Sequence, residues 1–263
     1  MARSALMNVM VGAAAKAGRR LARDFGEVEN LQVSVKGPGD FVTKADMEAE
    51  KTIYEELSRA RPDFGFLMEE RGEVEGKDPE SRWIVDPMNG TTNFLHSIPI
   101  FAISIALERE GQIVAAVIYN PLMDELFTAE KGGGAFFNDR RIRVANRRHM
   151  TDGLFGVPVP HLGRGNHGDS LRQIRNLMAN TGGIRSTGAP AIDLAWVAAG
   201  RFDGIVGREN QPWDTAAGLL LVREAGGFVS DIHGRDDIFG TGTILAANER
   251  LIGELERTAN KGL

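Results

Sequence analysis

Apolar positions along the chain switch between helical and strand spacing, and the switches divide it into elements. Leu6, Met10, Ala13, Ala17, Leu21 and Phe25 recur at helical spacing, with Lys16, Arg19 and Arg23 on other faces. This predicts an amphipathic first helix, slightly weakened by Gly18. Leu31 to Val35 alternates like a strand, and Lys36-Gly37-Pro38-Gly39 reads as a turn. A second helix is predicted from about Asp46 to Arg61, with Ala49, Ile53, Leu57 and Ala60 on one stripe and Pro62 as its stop. Phe64 to Met68 reads as a short strand that stops on Glu69-Glu70, and the polar stretch 71–81 as an exposed loop. Trp83 to Val85 reads as a buried strand closed by Asp86, because Pro87 has no N–H to continue a ladder. Phe101 to Leu107 and Ile113 to Tyr119 predict a hairpin, followed by strands at Leu126 to Ala129 and Gly134 to Phe137.

The second half alternates. Helices are predicted at Leu171 to Asn180, Ala191 to Ala199, Asp214 to Ala225 and Glu249 to Thr258. Strands fall between them at Ile184 to Ser186, Phe202 to Val206, Phe228 to Asp231 and Thr243 to Ala246. There is no internal repeat and no linker. Residues 1–263 therefore read as one α/β (α+β) domain with two intimate halves, roughly 1–145 and 146–263.

Composition narrows the chemistry. The chain has no cysteine, which excludes disulfides, thiolate catalysis and cysteine-based metal sites and fits a reducing, cytoplasmic setting. With 5 histidines among 263 residues, carboxylates are the natural metal ligands, and these select hard cations such as Mg2+. The net charge of −5 gives no electrostatic case for direct nucleic-acid binding. No apolar run is long enough to span a membrane. The Arg-rich N-terminus raises a transit peptide, but its helical spacing favours a packed helix.

Four acids share one kind of position: Asp46 and Asp214 open predicted helices, while Glu69 and Asp86 close predicted strands. Singly each has a plainer reading, as helix cap, surface charge or turn. Together they are an oxygen-ligand set suited to divalent cations beside a phosphate.

The ordered motifs are more specific. Asp40-Phe41-Val42-Thr43-Lys44-Ala45-Asp46, Glu69-Glu70, Trp83 to Phe94, and Trp213 to Gly218 with Glu224-Ala225-Gly226-Gly227 together resemble the inositol monophosphatase family, in its SuhB-like bacterial branch. The resemblance implies a layered αβαβα sandwich of the inositol monophosphatase and fructose-bisphosphatase type. It also implies magnesium-dependent hydrolysis of inositol 1-phosphate or a related polyol phosphate by metal-activated water, with two or three Mg2+ ions. Carried over by position, Glu69, Asp86, the Met88 carbonyl, Asn89 and Asp214 would hold the metal. Glu69 and Thr91 would orient the water, and Asp46 would fix the Thr91 hydroxyl. Gly90, Thr91 and Asn89, with Arg185, Gly188, Ala189 and Asp214, would meet the substrate. Lys36 and Asp40 would lie on a loop near the site. The resemblance also implies a homodimer. Its alternative function is regulatory binding to the transcription machinery with weakened catalysis.

The chain departs from that family in two places. Asn89 stands where the family has Asp, which predicts a weaker second metal site and a rate lower by on the order of 10²-fold or more. Gly207 stands where the family has a sugar-binding Glu, with Glu209 as the nearest replacement. Asn89-Gly90 is also a sequence prone to deamidation, which would restore the Asp.

Overall fold

In a computed structural model of the protein, residues 3–25, 33–37, 40–159 and 165–262 are described. The first half runs α1 (Ala5–Asp24), β1 (Val33–Gly37), β2 (Asp40–Thr43), α2 (Lys44–Ala60), β3 (Phe64–Met68), β4 (Gly72–Val74), β5 (Asp78–Asn89), α3 (Thr91–Leu95), β6 (Ala102–Arg109), β7 (Gln112–Asn120), β8 (Glu125–Glu130), β9 (Gly134–Phe137) and β10 (Arg140–Arg141). The second runs β11 (Leu154–Gly156), α4 (His167–Met178), β12 (Gly183–Arg185), α5 (Pro190–Ala198), β13 (Gly204–Gly207), α6 (Pro212–Glu224), β14 (Phe228–Ser230), α7 (Ile238–Thr241), β15 (Ile244–Ala247) and α8 (Ile252–Ala259).

β1 and β2 pair as a hairpin. An eight-stranded sheet has the order β10-β9-β8-β7-β6-β5-β3-β4, and a five-stranded sheet the order β12-β11-β13-β15-β14. The large sheet is antiparallel except where β3 runs parallel to β5. The small sheet is parallel from β12 through β13 and antiparallel beyond.

Strand alternation builds the layers. On β5, Trp83 and Val85 join Met10, Leu21, Ile53 and Leu57 of α1 and α2 in one core, while Ile84 faces a second core with α5 and α6. Both faces of the large sheet are thus covered, which is why its strands read as continuous apolar runs rather than alternating ones. α6 lies between the two sheets, and Thr215 through Val222 are all buried. A third core, with Phe155, Val206, Leu245 and Leu255, lies under α4 and α8. The order is helices, sheet, helices, sheet, helices, as the resemblance implied. Among the described residues no helix is long and apolar enough to cross a membrane.

Two expectations are corrected, and one strand is added. The stretch 71–81 is not all loop: Gly72–Val74 pairs with β3, and β5 begins at Asp78. Pro87 does not end β5. Asp86 faces Ser104 and Asn89 faces Ala102, so one extra residue bulges out of the ladder and the proline sits there without needing its N–H. Leu154–Gly156 is a central strand of the small sheet, though three residues carry too little periodicity to announce it. Of the predicted first strand, residues 31 and 32 lie outside the described residues, as do 38 and 39 in the turn after Lys36.

Candidate active site

Helix starts and strand ends meet at the β5 bulge. Asp46 and Asp214 are each the third residue of a helix, and each reaches back to cap it. The Thr43 N–H donates to Asp46 Oδ2 at 2.8 Å, and the Gln211 N–H donates to Asp214 Oδ2 at 2.7 Å. The other oxygen of each faces the site. Thr91 Oγ1 donates to Asp46 Oδ1 at 3.0 Å, and Asn89 Nδ2 donates to Asp214 Oδ1 at 3.0 Å. The capping role and the site role are therefore one arrangement. Thr91 Oγ1 also lies 3.1 Å from the Met88 carbonyl. The Ser104 hydroxyl donates to the Trp213 carbonyl at 3.2 Å, tying the start of α6 to the large sheet.

Asp86 is the centre of the cluster. It is 1% exposed, and its Oδ1 accepts the Met88 N–H at 2.9 Å across the bulge. Burial, then the charges of Glu69 and Asp214, push its carboxyl well above the usual range, and the Glu69 carboxyl lies within hydrogen-bonding reach of it. Glu69 is placed by its own N–H, which donates to the Val85 carbonyl where β3 ends beside β5. Three carboxyls from remote segments thus converge. Burial also raises Asp46, to about 6, against the lowering effect of its bonds from Thr43.

Asn89 stands between two of these acids. Its Nδ2 is 2.9 Å from Asp86 Oδ2 and 3.0 Å from Asp214 Oδ1, and its Oδ1 accepts the Ala191 N–H of α5 at 2.9 Å. Glu69, Asp86 and the Met88 carbonyl are a hard-oxygen set that fits a divalent cation. The Asn89 face does not, because it presents N–H groups. Among the described residues no three acidic or histidine side chains already stand as a cation cage. The same three bonds, at 3% exposure, deny the Asn89 side chain the freedom that cyclisation onto Gly90 would need.

The turn before α5 packs against the junction of β5 and α3. The Asn93 amide donates to the Thr187 and Ile100 carbonyls, each at 2.7 Å, and Gly188, at φ 78°, packs on that amide. Thr187 Oγ1 donates to buried Asp193 at 2.7 Å and accepts the Ala189 N–H at 3.2 Å. Ala189 lies against Gly90. Burial raises Asp193 to about 7, the bond from Thr187 opposing it. Arg185 is not drawn into the cluster: it is exposed and donates to the carbonyl of its neighbour Ile184. Glu209 does not replace the missing carboxylate at Gly207, because its side chain lies against Gly165 and Asn210 packs on Gly207 instead. Glu224, which belongs to one of the motifs carrying the resemblance, accepts the N–H groups of Gly132 and Gly134, each at 2.7 Å. Thr187 and Asp193 escaped the sequence reading. The available signal was an acid set in the apolar run Ala191 to Ala199.

Comparison with known proteins finds relatives over nearly the whole chain. A profile described as the Inositol monophosphatase family matches residues 2–261. The chain is 62% identical to an "Inositol-1-monophosphatase" of Mesorhizobium japonicum, over all of this chain and 99% of that one. It is 40% identical to the "Nus factor SuhB" of Escherichia coli K12, over 94% of this chain and 92% of that one. Its fold superposes on the extragenic suppressor protein suhB of Bartonella henselae with a TM-score of 0.97 at 60% identity, covering 99% and 100% of the two chains. The inositol monophosphatase TM1415 of Thermotoga maritima gives 0.89 at 31% identity, covering 98% of each.

Proposed function

The chain belongs to the inositol monophosphatase family, a generally metal-dependent group, and on that footing we propose that it is a magnesium-dependent phosphate monoester hydrolase acting on inositol 1-phosphate or a related polyol phosphate. The carrying observation is the meeting of Glu69, Asp86 and Asp214 beside a Thr91 hydroxyl anchored on Asp46. Glu69, Asp86 and the Met88 carbonyl would hold Mg2+, which when bound lowers the pKa of a nearby water and offsets phosphate charge. The chain's own groups do the rest. Thr91 donates its proton to Asp46 or to the Met88 carbonyl. Its oxygen is then left to accept from the attacking water, and Glu69 accepts from the same water on its other side. The N–H groups of Gly90 and Thr91 bind phosphate oxygens, and the turn carrying Gly188 and Ala189 faces the polyol. With no carboxylate at Gly207, discrimination among polyols rests on that turn, with Arg185 at its edge. This reading includes a single domain, a homodimer and a cytoplasmic setting, consistent with the absence of cysteine.

Phosphate release from a panel of polyol phosphates, with Mg2+ and then with excess chelator, tests the proposal. Release of phosphate from inositol 1-phosphate that stops on chelation is expected. No release from any ester in the panel with Mg2+ present would overturn it. The loss of a charge at Asn89 favours a second reading, a regulatory protein that binds the transcription machinery with little catalysis. That outcome would appear as capture of transcription factors by a chain inactive on every ester.

A further inference from the structure

Asp86 comes from β5 of the large sheet and Asp214 from α6, 128 residues later in the chain (214 − 86). One amide nitrogen joins them, at 2.9 Å and 3.0 Å. Both N–H bonds of Asn89 are spent there, and its oxygen is turned away onto the Ala191 N–H. A carboxamide does not titrate, so this double donor is neutral at every pH. Asp86 is buried and Asp214 half-buried, and two carboxylates facing each other there repel, so something positive or hydrogen-donating must hold them together. A cation does this in a site built of acids alone. Here the polypeptide does it with its own side chain.

We propose that this chain is organised around a single divalent cation, held on the side of Glu69, Asp86 and the Met88 carbonyl, and that the Asn89 amide closes the Asp86–Asp214 side to a second. The inference rests on the metal-dependent hydrolase reading and deepens it. It has two consequences independent of catalysis. Ion stoichiometry is one per chain, and the acid cluster stays assembled without a cation. A cation therefore adds comparatively little to the melting temperature, since ligand stabilisation grows with the number and tightness of sites formed only in the folded state.

The test uses the full-length protein and Mn2+ or Mg2+ alone, without substrate. Electron paramagnetic resonance counts bound Mn2+, calorimetry gives Mg2+ affinity, and melting is followed with and without Mg2+. Wild type is expected to bind one ion. Asn89→Asp, which replaces the double donor with a third acid facing Asp86 and Asp214, is expected to bind two, to melt lower than wild type when metal-free, and to regain more on adding Mg2+. Asn89→Ala removes the bridge without adding charge and keeps the test alive if Asn89→Asp does not fold; it too is expected to melt lower metal-free. Two ions in wild type, with affinities within about threefold of those in Asn89→Asp, would overturn the inference, as would equal Mg2+-dependent melting shifts in wild type and both variants. If wild type binds two ions and releases phosphate, the inference fails and the hydrolase reading stands. If it binds none and releases none, both fail.

Discussion

Substituting Gly90 by Ala probes the junction on which the site is built. Gly90 lies between β5 and α3 at φ 102°, ψ 36°, in the left-handed region. An L-residue there carries roughly 1–2 kcal/mol of backbone strain that glycine escapes. A Cβ would also meet the Ile100 carbonyl oxygen at 3.1 Å, Ala189 Cβ at 3.2 Å and Phe101 Cβ at 3.3 Å. None of these is the end of a flexible side chain, so the backbones themselves must give by a few tenths of an ångström, adding about 1–3 kcal/mol. Reduced freedom of the unfolded chain returns about 0.4–1 kcal/mol. The net expectation is a loss of roughly 2–4 kcal/mol. Gly226→Ala is the control. Its φ is also positive, at 83°, but a Cβ there meets nothing within 4 Å, so it carries the backbone part alone, about 1 kcal/mol. Urea unfolding of both variants at equal m-value separates the two parts. Because the same displacement moves Ala189 and the Thr91 N–H relative to Asp86, kcat/KM should fall about tenfold or more in Gly90→Ala and stay level in Gly226→Ala. If the two variants are equally stable and equally active, the close approach of these three segments does not constrain the site, and the reasoning fails.

Other variants test other parts. Thr91→Val removes the hydroxyl held by Asp46, so kcat should drop on the order of 10²-fold while Thr91→Ser keeps most of it; equal rates in the two would remove the hydroxyl from the chemistry. Gly218→Ala would place a Cβ 2.4 Å from Leu194 Cβ, forcing α5 and α6 apart, and should lose about 3 kcal/mol in urea unfolding. Asp193, raised by burial from 3.8 to about 7, binds its proton more tightly folded than unfolded. Its contribution to stability is therefore full below about pH 4 and fades as pH rises through about 7. Asp193→Asn keeps an acceptor for Thr187 without the titration, so its stability relative to wild type should rise between about pH 5 and pH 8, by a few kcal/mol at most. An equal difference at both pH values would mean that burial does not hold this carboxyl neutral.

Much of this molecule was legible in one dimension. The first helix, the strand at 64–68, the hairpin before Tyr119 and the helix after Trp213 follow from local spacing, because helix and strand periods are properties of a short stretch. The acids at the starts of α2 and α6 were legible for the same reason: capping is decided within four residues, and Thr43 and Gln211 lie three positions before Asp46 and Asp214. The ordered motifs, read together, identified the family that the comparison then bore out.

What spacing did not contain was contact between remote segments. The passage of β5 through Pro87 depended on a partner strand able to absorb a bulge. Leu154–Gly156 became a central strand only because β12 and β13 lay on either side of it. Glu209 turned away from the site and Glu224 proved to be a loop anchor, neither of which a one-dimensional neighbourhood can reveal. Above all, the sequence put an amide at position 89, but only the folded chain brought Asp86, Asp214 and the Ala191 N–H within 3.0 Å of it. Periodicity decides which face of an element is buried. Hydrogen bonding between side chains more than a hundred residues apart is decided by how the layers stack, and that information is distributed over every core residue rather than written at the site.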